Sequence, residues 1–271
     1  MQRIVHLSDL HFGRARPEVL TPLLSAVAEA VPDLVVVSGD LTQRARPREF
    51  REARAFLDRL PAPWLAVPGN HDVPLYNLGQ RLLRPYARYR RWIGQTLAPQ
   101  LVNAQVAVVG LNTVDPRRHQ RGEVRSADIA RLCATFGTGP PERLNIAVGH
   151  HPFEQGAHID KSPTRHATRG LARLTECNAH VILSGHLHLW HAGPFLTNAR
   201  GAGPIQVHAG TSLSSRLRGE VNDFALLGID AERLSVTRMV YDDTARGFAA
   251  ADRLWFRRGA EGLSLEDARD L

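Results

Sequence analysis

The chain is poor in cysteine, nearly devoid of lysine, sparing with aromatic residues and free of long apolar runs, and each shortage removes a class of protein. Two cysteines in 271 residues, Cys133 and Cys177, are too few for a disulfide framework and show no C-x-x-C spacing. Neither a redox couple nor a thiolate zinc site is indicated, and both residues are expected to be buried fillers. No stretch approaches the roughly 18 consecutive apolar residues of a membrane helix. The N-terminus runs directly into Ile4-Val5-His6-Leu7 without a signal-peptide pattern, so a soluble, cytoplasmic protein with no transmembrane segment is expected. Internal repeats and low-complexity stretches are also missing.

Lys161 is the single lysine among 34 basic residues, so the formal charge of +7 is carried by arginine. A basic surface attracts phosphate-rich partners. Ala, Gly and Pro are abundant as well, however, and the same skew follows from a GC-rich coding sequence, so the charge alone identifies no partner. Aromatic residues make up 6% of the chain, which argues against the interleaved aromatic stripe of a nucleic-acid-binding surface.

What is present is an alternation of short apolar runs, polar loops and amphipathic segments, the signature of an α/β protein. Strands are expected at Ile4–Leu7, Leu34–Val37, from Trp64, and at Val106–Leu111, Leu144–Val148 and Val181–Ser184. Helices are expected from Pro17, with Val19, Leu20, Leu23, Leu24 and Val27 on one face, and from Pro47, with Phe50, Phe56, Leu57 and Leu60. Two more should start at Ser126 and span Arg169–Cys177. Asn77–Trp92 should be helical in part and broken at Pro85. After Ile205 the runs Ile205–Val207, Phe224–Ile229 and Leu234–Val240 follow one another with short connections, which predicts antiparallel pairing. The expected division is a domain over residues 1–245 and a C-terminal tail, 246–271, whose role the pattern leaves open.

Five of the polar loops share one logic: each follows an expected strand and opens on side chains that bind metals. They are Asp9-x-His11, Gly39-Asp40, Gly69-Asn70-His71-Asp72, Gly149-His150-His151 and Gly185-His186-x-His188. Singly, each has an ordinary explanation: Pro68-Gly69-Asn70 is turn chemistry, Asp9 caps a turn, Asp40 ends a strand, and His150 is a satisfied core histidine. In extended backbone, though, residues two apart point the same way, so D-x-H and H-x-H pairs reach a common point. Gly69 is expected to let the chain turn sharply there. Strands of one sheet bring their C-terminal ends to a common edge, where the loops would converge. Carboxylate, imidazole and one amide, without thiolate, suit Mn, Fe, Zn or Co. The set exceeds the needs of one ion and matches two ions bridged by a carboxylate, a clamp for phosphoryl transfer.

With these blocks in this order, from Asp9 to His188, the sequence resembles the calcineurin-like metallophosphoesterases, and its opening and size are similar to the bacterial cyclic-nucleotide-type phosphodiesterases among them. The resemblance implies a four-layer α/β/β/α sandwich and a dinuclear centre. Asp9, His11, Asp40 and His188 would hold one ion, and Asp40, Asn70, His150 and His186 the other, with Asp40 as the bridge. His150 rather than His151 is taken as the ligand. His71 would donate to the phosphate or act as general acid, and Asp72 would orient it. The implied activity is hydrolysis of a small phosphate ester, most simply a phosphodiester such as a cyclic nucleotide, by a metal-bound hydroxide attacking phosphorus in line.

Three alternatives rank lower: a nuclease, a lipid-linked pyrophosphatase, and a metal-dead scaffold, the last disfavoured because every ligand type is retained. Nucleic acid and a homo-oligomer stay open as partners. Thr211–Glu220 looks like a loop bordering the site. Arg81, Arg84 and Arg88, in the segment that follows the Asn70-His71 loop, are candidates to meet the part of the substrate beyond the reacting phosphate. His191 and His208 could lie near the site, while His6, His119, His158, His166 and His180 are assigned to surface or core.

Overall fold

A computed structural model describes residues 1–156, 159–195, 202–259 and 262–266; His158 lies outside the described residues. The apolar runs of the N-terminal half alternate with helices: β1 (Gln2–Leu7), α1 (Pro17–Glu29), β2 (Leu34–Val37), α2 (Pro47–Leu57) and β3 (Trp64–Ala66). Proline opens both helices, at a position where its missing N–H costs nothing. A single 3-10 turn, Asn70–Asp72, follows β3, and then two short helices, α3 (Leu78–Leu83) and α4 (Ala87–Trp92), separated at Pro85. The second half contains β4 (Gln100–Val102), β5 (Val106–Gly110), α5 (Ser126–Phe136), β6 (Leu144–Val148), α6 (Ala167–Glu176) and β7 (Val181–Ser184). Seven further strands complete the chain: β8 (His191–Pro194), β9 (Ala202–Gly203), β10 (Ile205–His208), β11 (Asp223–Ile229), β12 (Arg233–Asp242), β13 (Gly247–Gly259) and β14 (Gly262–Leu265).

These strands build two mixed sheets. One has the order β3-β2-β1-β11-β12-β13-β14-β9 and the other β4-β5-β6-β7-β10-β8. Side-chain alternation explains how they pack. In β1 and β2, Ile4, Leu34 and Val36 face the second sheet and join Val108, Ile146, Val148, Leu183 and Val207 in the central core. Val5, Leu7, Val35 and Val37 point the other way, onto Val19, Leu23 and Val27 of α1 and Phe50 and Phe56 of α2. On the far side, Ala107, Val109 and Ile182 meet Ile129 and Leu132 of α5 and Leu171 and Leu174 of α6. The layers are therefore helix, sheet, sheet, helix, the α/β/β/α sandwich. No helix among the described residues is long and apolar enough to cross a membrane.

Two expectations change. The stretch set apart as a tail after residue 245 runs into the larger sheet: β13 pairs with β12 from Arg257 opposite Arg233 to Gly247 opposite Asp242, and β14 pairs with β13. The pattern of β13 hides this because Phe256 is its one fully buried residue and no clean inside–outside alternation marks the strand. The cysteines are not independent fillers. Cys133 of α5 and Cys177 at the end of α6 form a disulfide, because the two helices lie side by side and bring residues 44 apart in sequence to a Cα separation of 5.2 Å.

Linking two helices across a loop of that length restricts the unfolded chain, so the Cys133→Ser/Cys177→Ser double variant should lose roughly 2–4 kcal/mol of stability. Urea unfolding of the oxidised protein against the double variant measures it, with intact mass before and after reduction reporting the bond. Equal midpoints would remove the disulfide from the stability of this face.

Candidate metal centre

Strands from both sheets end at the same edge. Asp9 and His11 follow β1, Asp40 follows β2, and Asn70 and His71 follow β3, all in the larger sheet. His150 follows β6, and His186 and His188 follow β7, in the smaller one. The loops thus converge from two facing sheets rather than along the edge of one.

Asp9, His11, Asp40, His186 and His188 all adopt left-handed backbone, with φ of 52°, 46°, 52°, 70° and 60°. This conformation costs of order 1–3 kcal/mol for a non-glycine residue, and Asp and His tolerate it better than most. All five lie in the loops that leave buried strands, Asp9, Asp40 and His186 early in the loop and His11 and His188 further along it, and their side chains are buried. Gly39 also has positive φ, 98°. Gly69 does not: its φ of −103° and ψ of 177° are extended. The expectation of a sharp turn there is replaced by one of contact, because a Cβ on Gly69 would lie 2.3 Å from the backbone N of Asp40 and 2.1 Å from its Oδ1. Glycine is required so that the β2 and β3 loops can touch.

The buried carboxylates of Asp9 and Asp40 are each half satisfied. Asp9 Oδ2 accepts from Ser8 Oγ (2.7 Å) and His186 N (2.9 Å). Its Oδ1 has no hydrogen-bond partner and lies 3.1 Å from His188 Nε2 and 3.4 Å from His11 Nε2. Asp40 Oδ1 accepts from His71 N at 2.8 Å. Its Oδ2 faces His150 Nε2 at 3.3 Å and His11 Nε2 at 3.7 Å. Asn70 Oδ1 and His150 Nε2 are buried without a partner. Metal-competent atoms of Asp9, His11 and His188, and likewise of Asp9, Asp40 and His150, all lie within 4.8 Å of one another.

The outer nitrogens fix the tautomers. His188 Nδ1 lies 2.7 Å from Arg216 O, and His150 Nδ1 lies 2.8 Å from Ser38 O. A carbonyl only accepts, so both Nδ1 atoms carry hydrogen and both Nε2 atoms turn to the carboxylates, the arrangement that orients metal-binding imidazoles. His11 Nε2 and His188 Nε2 lie 3.2 Å apart, a separation at which two lone pairs repel unless a positive charge stands between them. Burial opposes the charge on Asp40, yet His150 and His71 hold its carboxyl well below the usual range. Burial also disfavours a charged His150, but Asp40 raises it to about 9. Without a cation, a proton takes the cation's place.

His71 and Asp72 diverge. His71 Nδ1 donates to Gln43 O (2.8 Å), and its Nε2 accepts from Arg216 Nη1 (3.1 Å). Burial lowers its pKa to about 4. Asp72 does not orient the His71 ring. It accepts instead from Leu41 N, Thr42 N, Thr42 Oγ1 and Gly69 N, at 2.9 to 3.2 Å, and so ties the β2 loop to the β3 loop. Burial, with Asp40 adding to it, raises its pKa to about 7. His151 neighbours His150 and His186, but its Nδ1 is engaged with Thr113 Oγ1 (2.8 Å) and its Nε2 with Gln120 O (3.0 Å). His208 is held in the core by Ser184 and Gln206.

The arginines chosen from the sequence are placed differently. Arg81 is buried, with its guanidinium spent on the carbonyls of Pro116, Pro74 and Arg118. Arg88 donates to Ala45 O, and Arg84 is exposed. Arg216 is the one that reaches His71; it belongs to the Thr211–Glu220 loop expected to border the site, although the residue itself is not among the candidates singled out from the sequence, and Lys161 donates to His186 O. The signal was available: β10 is a further strand ending at this edge, and Arg216 lies in the loop that follows it.

The chain matches a family model described as calcineurin-like phosphoesterase over residues 2–189. It is 36% identical over 206 residues to the glycerophosphodiester phosphodiesterase GpdQ of Enterobacter lignolyticus, covering 68% of this chain and 70% of that one. It is 24% identical over 272 residues to the 3',5'-cyclic adenosine monophosphate phosphodiesterase CpdA of Escherichia coli, covering 91% and 94%. In fold it is similar to the purple acid phosphatase PPD1 of yellow lupin, with a TM-score of 0.73 at 12% identity. That match covers 99% of this chain, which spans 54% of the plant chain.

Two outcomes follow from this geometry. Gly69→Ala should separate the β2 and β3 loops, lowering stability by roughly 1–3 kcal/mol and emptying the centre, whereas Gly94→Ala, with nothing within 4 Å of its Cβ, should do neither. Elemental analysis beside urea unfolding distinguishes them. Because a divalent ion must displace the His150 proton, apparent metal affinity should rise with pH up to about 9, by up to about tenfold per pH unit for one proton. Calorimetry in buffers of different ionisation enthalpy reads the released proton, and its absence would show His150 to be neutral or not a ligand.

Proposed function

The chain belongs to the calcineurin-like phosphoesterase family, and from that premise we propose that it is a phosphodiesterase with a dinuclear metal centre, acting on a small diester such as a cyclic nucleotide. The observation that carries this reading is the pair of buried carboxylate oxygens, Asp9 Oδ1 and Asp40 Oδ2, each facing two imidazole nitrogens. Such a set requires positive charge, and its donors fit divalent Mn, Fe or Zn. Asp9, His11, Asp40 and His188 would hold one ion, and Asp40, Asn70, His150 and His186 the other. When bound, the ions supply a water made nucleophilic at neutral pH and a clamp for charge developing on phosphorus.

The remaining chemistry belongs to the chain. His71 and Arg216 share one hydrogen bond at the mouth of the centre, so a phosphate oxygen or leaving group arriving there meets a donor. Arg216 is charged throughout, and His71 becomes a donor through Nε2 once the incoming charge favours its protonated form. Gln43 O holds the His71 ring in place, and Asp72 holds the loop that carries Gln43. The two named relatives are both phosphodiesterases, which favours a diester over a monoester.

The test is hydrolysis of bis(p-nitrophenyl) phosphate by protein loaded with Mn, Fe or Zn. His71→Ala should lower kcat by a factor on the order of 10² to 10⁴ while elemental analysis finds the metal content unchanged. Loss of metal along with activity would make His71 a ligand instead, and no turnover with any of these ions would overturn the reading.

A further inference from the structure

The centre just proposed comes close to electrical neutrality without help from its surroundings. Two divalent ions against Asp9, Asp40, a hydroxide and the single charge of a phosphodiester leave no net charge. Three cations nevertheless surround the opening. Arg216 donates to His71 Nε2, and Lys161 donates to the carbonyl of His186. Lys161 and Arg218 border one cleft of about 470 Å³ together with Gln120, Asp160 and Leu187. None of the proposed ligands lines this cleft, but Leu187 lies between His186 and His188 in the chain and Lys161 bonds to the carbonyl of His186, so the cleft neighbours the loop that carries both histidines. Lys161 feels the charges of Arg218 and Arg216 as well as those of Asp9 and Asp40.

Among the described residues, none of these cations has a carboxylate in a direct ion pair. The only acidic residue of the Thr211–Glu220 loop, Glu220, pairs with Arg238 instead. Asp160 borders the cleft, yet among the described residues no carboxylate lies within ion-pair distance of Lys161, Arg216 or Arg218. Like charges held together beside a centre that adds no net negative charge repel one another, and an arrangement of this kind is stabilised by an anion placed among them.

Resting on the phosphodiesterase reading, we propose that Lys161 and Arg218 form a subsite for a second anionic group next to the scissile phosphate, while Arg216 stays with His71. The substrate class is then a phosphodiester that carries another phosphate, as in a pyrophosphate diester or an ester arm with a terminal phosphate. A singly charged cyclic nucleotide would leave the subsite unfilled. Arg218 supplies a planar fork suited to phosphate oxygens, and Lys161 supplies a point charge in the same cleft.

A thymidine dinucleotide with and without a terminal phosphate tests this directly, since the scissile ester is the same in both. The phosphorylated form should show kcat/KM at least about tenfold higher, the effect of one or two charge-assisted hydrogen bonds. In Arg218→Ala and Lys161→Ala that ratio should fall toward one. UDP-glucose in the same assay distinguishes a pyrophosphate link from a terminal phosphate. Turnover of bis(p-nitrophenyl) phosphate with a ratio near one in the wild type would overturn the subsite and leave the phosphodiesterase reading standing. Equal losses on both dinucleotides in the variants would also overturn it. If no diester is turned over, calorimetric binding of inorganic pyrophosphate against inorganic phosphate decides. Tenfold tighter binding of pyrophosphate that is lost in Arg218→Ala supports the subsite, and equal affinities refute it.

Discussion

Two carboxylate oxygens buried among imidazole nitrogens set the terms for the rest of this molecule. Asp9 and Asp40 each have one oxygen satisfied by the fold and one left facing two histidines. In a low-dielectric interior an unmatched carboxylate is costly, and a row of nitrogen lone pairs beside it offers no relief. Positive charge has to be supplied, and the raised pKa of His150 is what the protein does when protons are the only source. Divalent ions satisfy the same demand more completely, since one ion replaces several protons and bonds the lone pairs as well.

Holding that arrangement requires a rigid frame. Five of the residues proposed as ligands lie in left-handed backbone, each in a loop that leaves a strand with a buried core face. The strain is tolerable because two sheets clamp the strands from which the loops emerge, and the loops are cross-tied: Asp72 joins the β2 and β3 loops, and Thr211 Oγ1 donates to Asp9 O from the loop after β10. Gly69 serves the same end, by letting two backbones meet rather than by turning. Buried Ser8 and Ser38, linked to His6, extend the network beneath Asp9 so that its inner oxygen cannot rotate away.

The side that meets the substrate is built from different material. Arg216, Arg218 and Lys161 come from connections rather than strands, and their positive charges add to those that the centre itself demands. The proposed metal site and cationic rim would therefore act in one direction, toward an anionic ligand, but on different parts of it: one on the reacting phosphorus, the other on what lies beside it. The Arg-rich segment Leu78–Trp92 contributes mainly structure, since Arg81 and Arg88 bind backbone carbonyls of neighbouring loops and Tyr89 OH donates to Ala66 O in the core.

The sequence by itself determined the local elements and the chemistry they carry. Pro17 and Pro47 open helices where expected, the valine runs are buried strands, Pro85 divides its helix, and the five strand-end motifs all lie at the shared edge. These features are legible because periodicity, proline geometry and D-x-H or H-x-H spacing act over a few residues. What depends on segments distant in the chain was decided only by the tertiary structure. The site is assembled from two facing sheets, β13 joins a sheet although its residues are mostly solvated, and Cys133 finds Cys177 because α5 lies against α6. Asp72 serves a neighbouring loop rather than His71, and Arg216 rather than Arg81 stands at the mouth of the site. A side chain's partner is set by what the fold brings within about 3 Å of it, and no local pattern records that.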